Sequence, residues 1–203
     1  MVDRRSDAGP RPAPAAAKIE MRRRALAARD ALPGAERARL SARVCARAAA
    51  LPELDRATTL MLYASFRSEV ETTTLLSWAL KAGKIVCAPR VLSPRLMAAY
   101  RIADPAADLL PGAWGIPEPR DGLPEVDPSE IDVVLVPGSV FDTAGRRCGY
   151  GGGFYDSYLP LTRPGIPWIG LAFEAQLVGA LPCEPHDLAV TAIVTEHRVV
   201  RPG

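Results

Sequence analysis

Short apolar runs alternate with helix-like segments along most of this 203-residue chain, and this alternation limits the folds that it can adopt. The clearest run is IDVVLVPG (131–138), in which β-branched residues are stopped by Pro-Gly, as is typical of a buried strand. Parallel strands need crossover connections, and these place helices over the sheet. We therefore predict an α/β fold with a mostly parallel sheet, helices on both faces and three layers. Further strands are predicted at 57–66, 84–91, 96–102, 166–173 and 189–196.

The first residues differ from the rest in pattern. Residues 1–16, MVDRRSDAGPRPAPAA, lack apolar periodicity and are predicted to form a disordered leader. Residues 17–203 are predicted to form a single α/β domain, in which 103–130 is a loop. Predicted helices cover 18–30, the stretch from Gly34 to about Ala50, a segment ending near Gly83, and Phe154 to about Leu161.

The charge is distributed unevenly, although the net charge is only +2. Residues 1–50 carry twelve Arg or Lys and five Asp or Glu, whereas the remainder carries thirteen and eighteen. The basic excess fits either a solvated helix face or a local attractor for an anionic ligand. Because this region lacks interleaved aromatic residues, we do not expect a nucleic-acid partner.

The cysteines give no sign of a metal site or a disulfide framework. Cys45, Cys87, Cys148 and Cys183 are far apart, and no CxxC pair occurs. Neither a signal peptide nor a long apolar run is present in the sequence. We therefore expect a cytoplasmic protein without a membrane partner, acting as a monomer or weak dimer.

The segment RRCGYGGGFYD (146–156) is the most informative local sequence. Glycines let backbone amides approach an anion closely, and the start of the following helix adds partial positive charge. Arg146 or Arg147 can donate to phosphate oxygens, and Asp156 can hold Mg²⁺. The same residues also fit a tight turn with solvated arginines, and neither a Walker A nor a Rossmann GxGxxG pattern is present.

The sequence around this segment, VPGSVFDTAGRRCGYGGGFYDSYL (136–159), resembles the signature of the 5-formyltetrahydrofolate cyclo-ligases, also called 5,10-methenyltetrahydrofolate synthetases. Cys148 and Ser139 differ from the residues that are usual in that signature. Other motifs of the family follow in order along nearly the whole chain. They are the pair Lys18 and Arg22, SEVET (68–72), GKxVxxP (83–89), GIPEP (115–119), IGLAFExQ (169–176) and HD…TE (186–196).

The resemblance implies an enzyme that uses MgATP to convert 5-formyltetrahydrofolate to 5,10-methenyltetrahydrofolate, with release of ADP and phosphate. ATP would phosphorylate the formyl oxygen, and a neighbouring folate nitrogen would then close the bridge as phosphate departs. The task of such a protein is largely positioning and charge neutralisation. Mg²⁺ is the implied cofactor, and the two substrates are the implied partners.

The resemblance also implies roles for individual residues on the nucleotide side. Arg147 and Tyr155 would be catalytic, while Asp156 and Asp187 would hold Mg²⁺. Lys18 and Arg22 lie four positions apart, so one helix face presents both toward phosphate. The implied ATP-binding set is Lys18, Arg22, Arg147, Gly149, Tyr150, Gly151, Gly152, Gly153, Phe154 and Tyr155.

On the folate side, the resemblance implies a role for Glu69, whose carboxylate can accept hydrogen bonds from the amino and ring N–H groups of a pterin. Without the resemblance, Glu69 also fits a helix-start acid, Trp114 a core residue and Asp187 a surface acid. The implied substrate-binding set is Ala64, Glu69, Trp114, Tyr150, Gly151, Gly152, Gly153 and Phe154.

Two other functions fit parts of the sequence. One is a binding module for folate or nucleotide without catalysis, against which the presence of both Asp156 and Asp187 argues. The other is a sugar-phosphate isomerase or acyl-CoA transferase, for which Glu69 is the only acid–base or nucleophile candidate that the pattern offers. Product formation from 5-formyltetrahydrofolate distinguishes the cyclo-ligase from both.

Overall fold

A computed structural model of the chain describes residues 14–182, 184 and 187–203. Residues 1–13 of the predicted leader and His186 of the HD motif lie outside the described residues. The prediction of a disordered leader is wrong for residues 14–16, because helix α1 (Pro14–Asp30) begins there. Alanine is the strongest helix former, and proline is tolerated in the first turn of a helix. No helix in the described part of the chain has both the length and the apolar composition needed to cross a membrane.

The strands of the described chain form one large sheet and two small ones. They are β1 (Thr59–Met61), β2 (Ile85–Ser93), β3 (Leu96–Ile102), β4 (Leu109–Pro111), β5 (Pro117–Pro119), β6 (Glu125–Val126), β7 (Val133–Val136), β8 (Val140–Asp142), β9 (Arg147–Cys148), β10 (Trp168–Leu171), β11 (Leu177–Val178), β12 (Ala192–Val194) and β13 (Val199–Val200). The large sheet has eight strands in the order β13-β12-β10-β7-β1-β2-β3-β6. The small sheets are β11-β8-β9 and β4-β5.

The large sheet is parallel in its centre and antiparallel at its edges. Strands β12, β10, β7, β1 and β2 pair in parallel. Strand β13 at one edge and strands β3 and β6 at the other pair antiparallel. The predicted α/β class is confirmed, but the sheet is mixed rather than parallel throughout. An apolar run does not encode strand direction, which follows here from the short turn that joins β2 to β3.

Helices cover both faces of the large sheet, as predicted. Helices α2 (Gly34–Ala49), α3 (Pro52–Arg56) and α4 (Thr73–Lys81) pack on one face, and α6 (Phe154–Tyr158) packs on the other. Neighbouring residues of one strand point in opposite directions. Leu60 therefore joins the core beneath α2 to α4, while Met61 joins the core beneath α6.

The segment predicted as a loop, 103–130, is more ordered than its Pro and Gly content suggested. It contains helix α5 (Pro105–Asp108) and strands β4, β5 and β6. The side chain of Asp104 accepts a hydrogen bond of 3.0 Å from the backbone N–H of Ala106, and Pro105 follows as the first helical residue. Asp before Pro is a helix-start pattern, so this helix was detectable from the sequence.

Helix α1 lies against the small sheet β11-β8-β9 rather than against the large sheet. Ala25 of α1 packs with Val140, Cys148 and Leu181 in a separate buried cluster. This contact brings the basic N-terminal helix next to the glycine segment that follows β9. The fold thus places cations of α1 beside the glycines that follow β9.

Candidate active site

A cavity of about 590 Å³ lies where parallel strands β1 and β7 end. Tyr63 and Ala64 line it just after β1, and Pro137 and Gly138 line it just after β7. In α/β proteins, ligands bind at the carboxyl ends of parallel strands. The volume is within the range of roughly 300–1,000 Å³ that is usual for small-molecule sites.

Every residue to which the family resemblance assigned a role lines this cavity. These residues come from α1, the segment after β1, the turn before β5, the glycine segment, α6 and the segment before β12. The structure brings them together, and their individual roles stay predictions. They are Lys18, Arg22, Ala64, Glu69, Trp114, Arg147, Gly149, Tyr150, Gly151, Gly152, Gly153, Phe154, Tyr155, Asp156 and Asp187.

The glycine loop, defined here as Gly149–Gly153, connects β9 to α6 in a path that side chains would obstruct. Gly151 (φ 100°) and Gly153 (φ 68°) occupy the left-handed region that favours glycine. A Cβ on Gly152 would lie 2.5 Å from the Phe154 ring. The helix that follows spans only Phe154–Tyr158, shorter than predicted, so its dipole contributes less than a long helix would.

The buried carboxylate of Asp142 organises the turn that leads into β9. It accepts hydrogen bonds from the backbone N–H groups of Ala144 and Arg146 at 3.0 Å each, and from that of Leu181 at 2.8 Å. The Arg146 side chain donates to the carbonyl of Leu181 and does not line the cavity. Of the two arginines in the motif, only Arg147 therefore faces the cavity.

Two cations of α1 are held at the cavity by hydrogen bonds. The buried Lys18 Nζ lies 2.5 Å from Asp187 Oδ2 and 2.6 Å from Glu184 Oε2. Burial acts to lower the pKa of Lys18, but the hydrogen bonds and charges of Asp187 and Glu184 outweigh it and raise that pKa. Arg22 Nε donates to the carbonyl of Gly149 at 2.7 Å. Lys18 thus remains charged, and Arg22 fixes the start of the glycine loop.

Arg147 enters the cavity from β9 and is almost completely buried. Its Nη2 donates to Asp156 Oδ1 at 2.8 Å, and its guanidinium carbon lies 5.6 Å from the centre of the Tyr155 ring. Burial lowers the pKa of Arg147, and the charge of Asp156 opposes this shift. Arg147 Nε and the Tyr155 hydroxyl are both buried without a hydrogen-bond partner among the described residues. Two residues that line the cavity therefore each carry a buried polar atom without a protein partner in the described chain.

The two predicted metal ligands each contact a cation in this structure. Asp156 is paired with Arg147, and Asp187 is paired with Lys18. Among the described residues, no group of three or more His, Cys, Asp or Glu side chains is arranged to hold a metal ion. Any metal bound here would need oxygens from its ligand or from water in addition to these two carboxylates.

Glu69 lines the cavity beside Tyr150 and is 6% exposed. The backbone N–H of Phe66 donates to Glu69 Oε2 at 2.9 Å. Burial raises the pKa of the Glu69 carboxyl, and the Phe66 hydrogen bond, the charge of Arg29 and hydrogen bonding by Tyr150 partly oppose this rise. Glu69 precedes α4 (Thr73–Lys81), so it is not an acid in the first turn of that helix. A buried carboxylate at the cavity wall suits a ligand that offers N–H donors.

Trp114 is 69% exposed, so its interpretation as a core residue is wrong. Its ring centre lies 6.1 Å from that of Phe154, with the ring planes tilted by 58°. Tyr150 of the glycine loop is also exposed, whereas Tyr155 is partly covered. An exposed tryptophan beside a cavity can stack on an aromatic ligand.

The sequence did not identify Arg67, Arg95 or Glu184, which also line the cavity. Arg67, Arg95 and Trp114 are the non-glycine residues with left-handed φ in the described part of the chain, and all of them line the cavity. Such backbone strain is concentrated at functional sites. Glu184, the second partner of Lys18, was also missed. A left-handed arginine has no signal in the sequence, because the surrounding structure determines its φ.

Comparison with known proteins agrees with the motifs. The model of the 5-formyltetrahydrofolate cyclo-ligase family matches residues 14–196. A protein of Escherichia coli strain K12 named 5-formyltetrahydrofolate cyclo-ligase is 33% identical over 182 residues, which is 84% of this chain and 96% of that protein. A probable 5-formyltetrahydrofolate cyclo-ligase of Schizosaccharomyces pombe is 28% identical over 172 residues, covering 78% of this chain and 84% of that protein.

A solved structure shares the fold described above. The NMR structure of Aquifex aeolicus 5,10-methenyltetrahydrofolate synthetase superimposes with a TM-score of 0.80 and 36% sequence identity, covering 91% of this chain and 92% of that one. The family model spans nearly the whole described chain, including every residue that lines the cavity. This chain therefore belongs to the 5-formyltetrahydrofolate cyclo-ligase family.

Proposed function

We propose that this protein converts 5-formyltetrahydrofolate to 5,10-methenyltetrahydrofolate and consumes MgATP in doing so, with release of ADP and phosphate. Membership of the family and the names of its relatives support the folate conversion. The cavity is the observation that best supports the use of both substrates, because it combines a cationic glycine-loop wall with a wall bearing a buried carboxylate. A monomeric or weakly dimeric state and a cytoplasmic location stay predictions.

The proposed reaction replaces a poor leaving group with a good one. The formyl oxygen attacks the γ-phosphorus of ATP, and the bond to ADP breaks with its electrons going to ADP. The neighbouring folate nitrogen then attacks the activated formyl carbon. The carbon–oxygen bond breaks as phosphate leaves, the attacking nitrogen loses its proton, and the methenyl bridge closes. Both steps need aligned reactants and stabilised negative charge, rather than a protein nucleophile.

Arg147 and Tyr155 are proposed to act on the transferring phosphoryl group. Arg147 Nε and the Tyr155 hydroxyl are buried donors without a partner among the described residues, and a phosphate oxygen would satisfy them. The glycine loop would supply backbone N–H groups to the same oxygens. Lys18 and Arg22 would bind the phosphates from α1.

The carboxylates of Asp156 and Asp187 fit Mg²⁺, which commonly uses one or two carboxylates with substrate phosphates and water. When bound, the ion would supply positive charge that neutralises charge developing on the phosphates. Each acid is paired with a cation that is itself proposed to bind phosphate. A bound triphosphate would offer Lys18 and Arg147 further anionic partners.

The folate substrate is proposed to bind between Glu69 and the exposed aromatic residues. Glu69 would accept hydrogen bonds from the pterin amino group and ring N–H. Trp114 and Phe154 would cover a ring face, and Ala64 leaves room beside the end of β1. The glycine loop, with Tyr150, would then contact both substrates.

The test is an assay with purified protein, 5-formyltetrahydrofolate, ATP and Mg²⁺. We expect saturable, magnesium-dependent growth of the near-ultraviolet absorbance of methenyl-folate, with one ADP formed for each product. Omission of ATP or Mg²⁺ is the matched control. Folded protein that binds 5-formyltetrahydrofolate in calorimetry but gives no product would replace this proposal with the non-catalytic binding module.

A further inference from the structure

Arg29 in the last turn of α1 is buried, although nothing in the sequence distinguishes it from the solvated arginines around it. It is 1% exposed, whereas the side chains of Arg23 and Arg24 on the same helix are 69% and 75% exposed. Burying a guanidinium removes it from water, which is unfavourable unless other contacts replace the hydration. The position of Arg29 therefore needs a reason beyond solubility.

The hydrogen bonds of Arg29 reach two segments that are distant in sequence. Its Nε donates to Ser68 Oγ at 3.0 Å, and its Nη2 donates to the Tyr150 hydroxyl at 2.6 Å. The guanidinium carbon also lies 5.9 Å from the centre of the Tyr150 ring. Both hydrogen-bond partners are hydroxyls rather than carboxylates, so these contacts hold positions without neutralising the charge.

The two segments both line the cavity, and they meet there, because hydrogen bonding by Tyr150 favours the ionised Glu69 carboxylate. Ser68 immediately precedes Glu69, which forms the proposed folate wall, and Tyr150 belongs to the glycine loop. Ser68 in turn donates to Asp30 Oδ1, which ties the same segment to the end of α1. Arg29 itself does not line the cavity. Its guanidinium thus connects Ser68 to Tyr150 from a position outside the cavity lining.

The remaining guanidinium nitrogen adds an unfavourable contribution to the burial of Arg29. Arg29 Nη1 is buried without a hydrogen-bond partner among the described residues. A buried donor that lacks a partner loses its hydration without a replacement. The charge of Arg29 also acts on Glu69, whose ionised form it favours.

We propose that Arg29 is a positioning residue for the folate substrate: it holds the Ser68–Glu69 wall and the Tyr150 side chain at a fixed separation. It contacts neither substrate. This inference rests on the proposed function, because it names the determinant of folate binding in that same cavity. Without the Arg29 hydrogen bonds, the Ser68–Glu69 segment and the Tyr150 side chain can move independently. The Glu69 carboxylate then no longer keeps the position that the pterin requires.

The first experiment compares Arg29→Met, which keeps length but removes the donors and the charge, with Arg29→Lys. We expect Arg29→Met to raise the KM for 5-formyltetrahydrofolate about 10- to 100-fold. The KM for ATP should change less than about threefold, because the phosphate contacts stay in place. Arg29→Lys should restore part of the folate affinity, since it keeps one donor and the charge. Arg24→Met on the exposed face of α1 is the matched control and should match the parent.

The outcomes separate this inference from the proposed function. If the parent protein shows no turnover, the proposed function itself is rejected. Active parent protein with an unchanged folate KM in Arg29→Met removes only the role of Arg29. Equal increases in both KM values, with a lowered melting temperature, would mean a general structural role and would also overturn the inference.

A double-mutant cycle tests the bridge even where Arg29→Met fails to fold. Ser68→Ala removes the acceptor on one wall, and Tyr150→Phe removes the acceptor on the other. Each substitution is made in the parent and in Arg29→Lys, and its effect on folate KM should be smaller in Arg29→Lys if Arg29 acts through that hydroxyl. Equal effects in both backgrounds would reject the role of Arg29.

Discussion

The two walls of the cavity hold charge in different ways. On the glycine-loop wall, Lys18 and Arg147 are paired with Asp187 and Asp156, so each cation is balanced by a carboxylate. On the Glu69 wall, the carboxyl is buried and its pKa is raised by that burial. The first wall suits a ligand that brings its own charges, and the second suits a neutral ligand that brings N–H donors. The difference suggests that each wall recognises one substrate.

The largest effect is expected from substitution of Arg147, which lines the cavity next to the glycine loop. Arg147→Ala should lower kcat/KM about 10²- to 10³-fold, because a buried donor to developing charge is lost. The KM for ATP should rise more than the KM for folate, as steady-state kinetics would reveal. Arg146→Ala is the control, since Arg146 bonds to the carbonyl of Leu181 outside the cavity. Similar losses in both variants would contradict the assignment of the loop.

Substitution of Glu69 should have a smaller effect than substitution of Arg147, and it should affect a different substrate. Glu69→Gln replaces a charged acceptor by a neutral one, so we expect the KM for 5-formyltetrahydrofolate to rise about 10- to 100-fold. The KM for ATP should stay close to that of the parent. A variant that weakens ATP binding equally would show that the walls do not divide the substrates.

The same substitution gives a pH test that needs no substrate. Burial raises the pKa of Glu69. Between its unfolded and folded pKa, the folded protein binds more protons than the unfolded chain, so the free energy of unfolding falls as pH rises. Glu69→Gln cannot titrate, so its stability relative to the parent should increase with pH across that window. Urea denaturation at a series of pH values measures this difference, and a constant difference would reject the raised pKa.

Asp156→Asn tests whether the paired acids serve a metal. We expect the free Mg²⁺ concentration needed for half-maximal activity to rise about 10-fold, because one of two carboxylate ligands becomes neutral. The matched control is Asp121→Asn, since Asp121 is 99% exposed and pairs with Arg90. An unchanged magnesium requirement would leave Asp156 only as the partner of Arg147.

The smallest effect is expected at Arg95, a cavity-lining residue with a left-handed backbone conformation. Arg95 has a φ of 63° and its side chain would contact a Cβ on Gly153 at 3.3 Å. Arg95→Gly removes the left-handed strain and should raise the free energy of unfolding by roughly 0.5–1 kcal/mol. Arg101→Gly in strand β3 is the control and should lower it, because glycine weakens a strand. Denaturant titration compares the two variants.

Local patterns predicted the parts of the site that depend on local chemistry. The glycines between β9 and α6 were identifiable because their spacing after an apolar run suits a tight anion-binding loop. The strand predicted at 57–66 was too long, since β1 ends at Met61. The apolar residues continue beyond β1 into residues that line the cavity. An apolar run does not indicate where sheet pairing ends.

Parts that depend on distant segments needed either the family resemblance or the structure. Spacing alone does not reveal that Lys18 meets Asp187, because residues 169 positions apart are brought together only by the fold. Arg29 looked like a solvated helix cation for the same reason. The left-handed backbone of Arg67 and Arg95 is imposed by tertiary packing, which no local propensity encodes.

The contact between Lys18 and Asp187 has a consequence for how the molecule is made. A ribosome synthesises Lys18 early and reaches Asp187 only 169 residues later, near the end of translation. Until then, the cavity lining beside Lys18 is incomplete. A chain that stops before Asp187 therefore carries the glycine loop without the Lys18–Asp187 ion pair, and only the last part of the polypeptide completes the cavity.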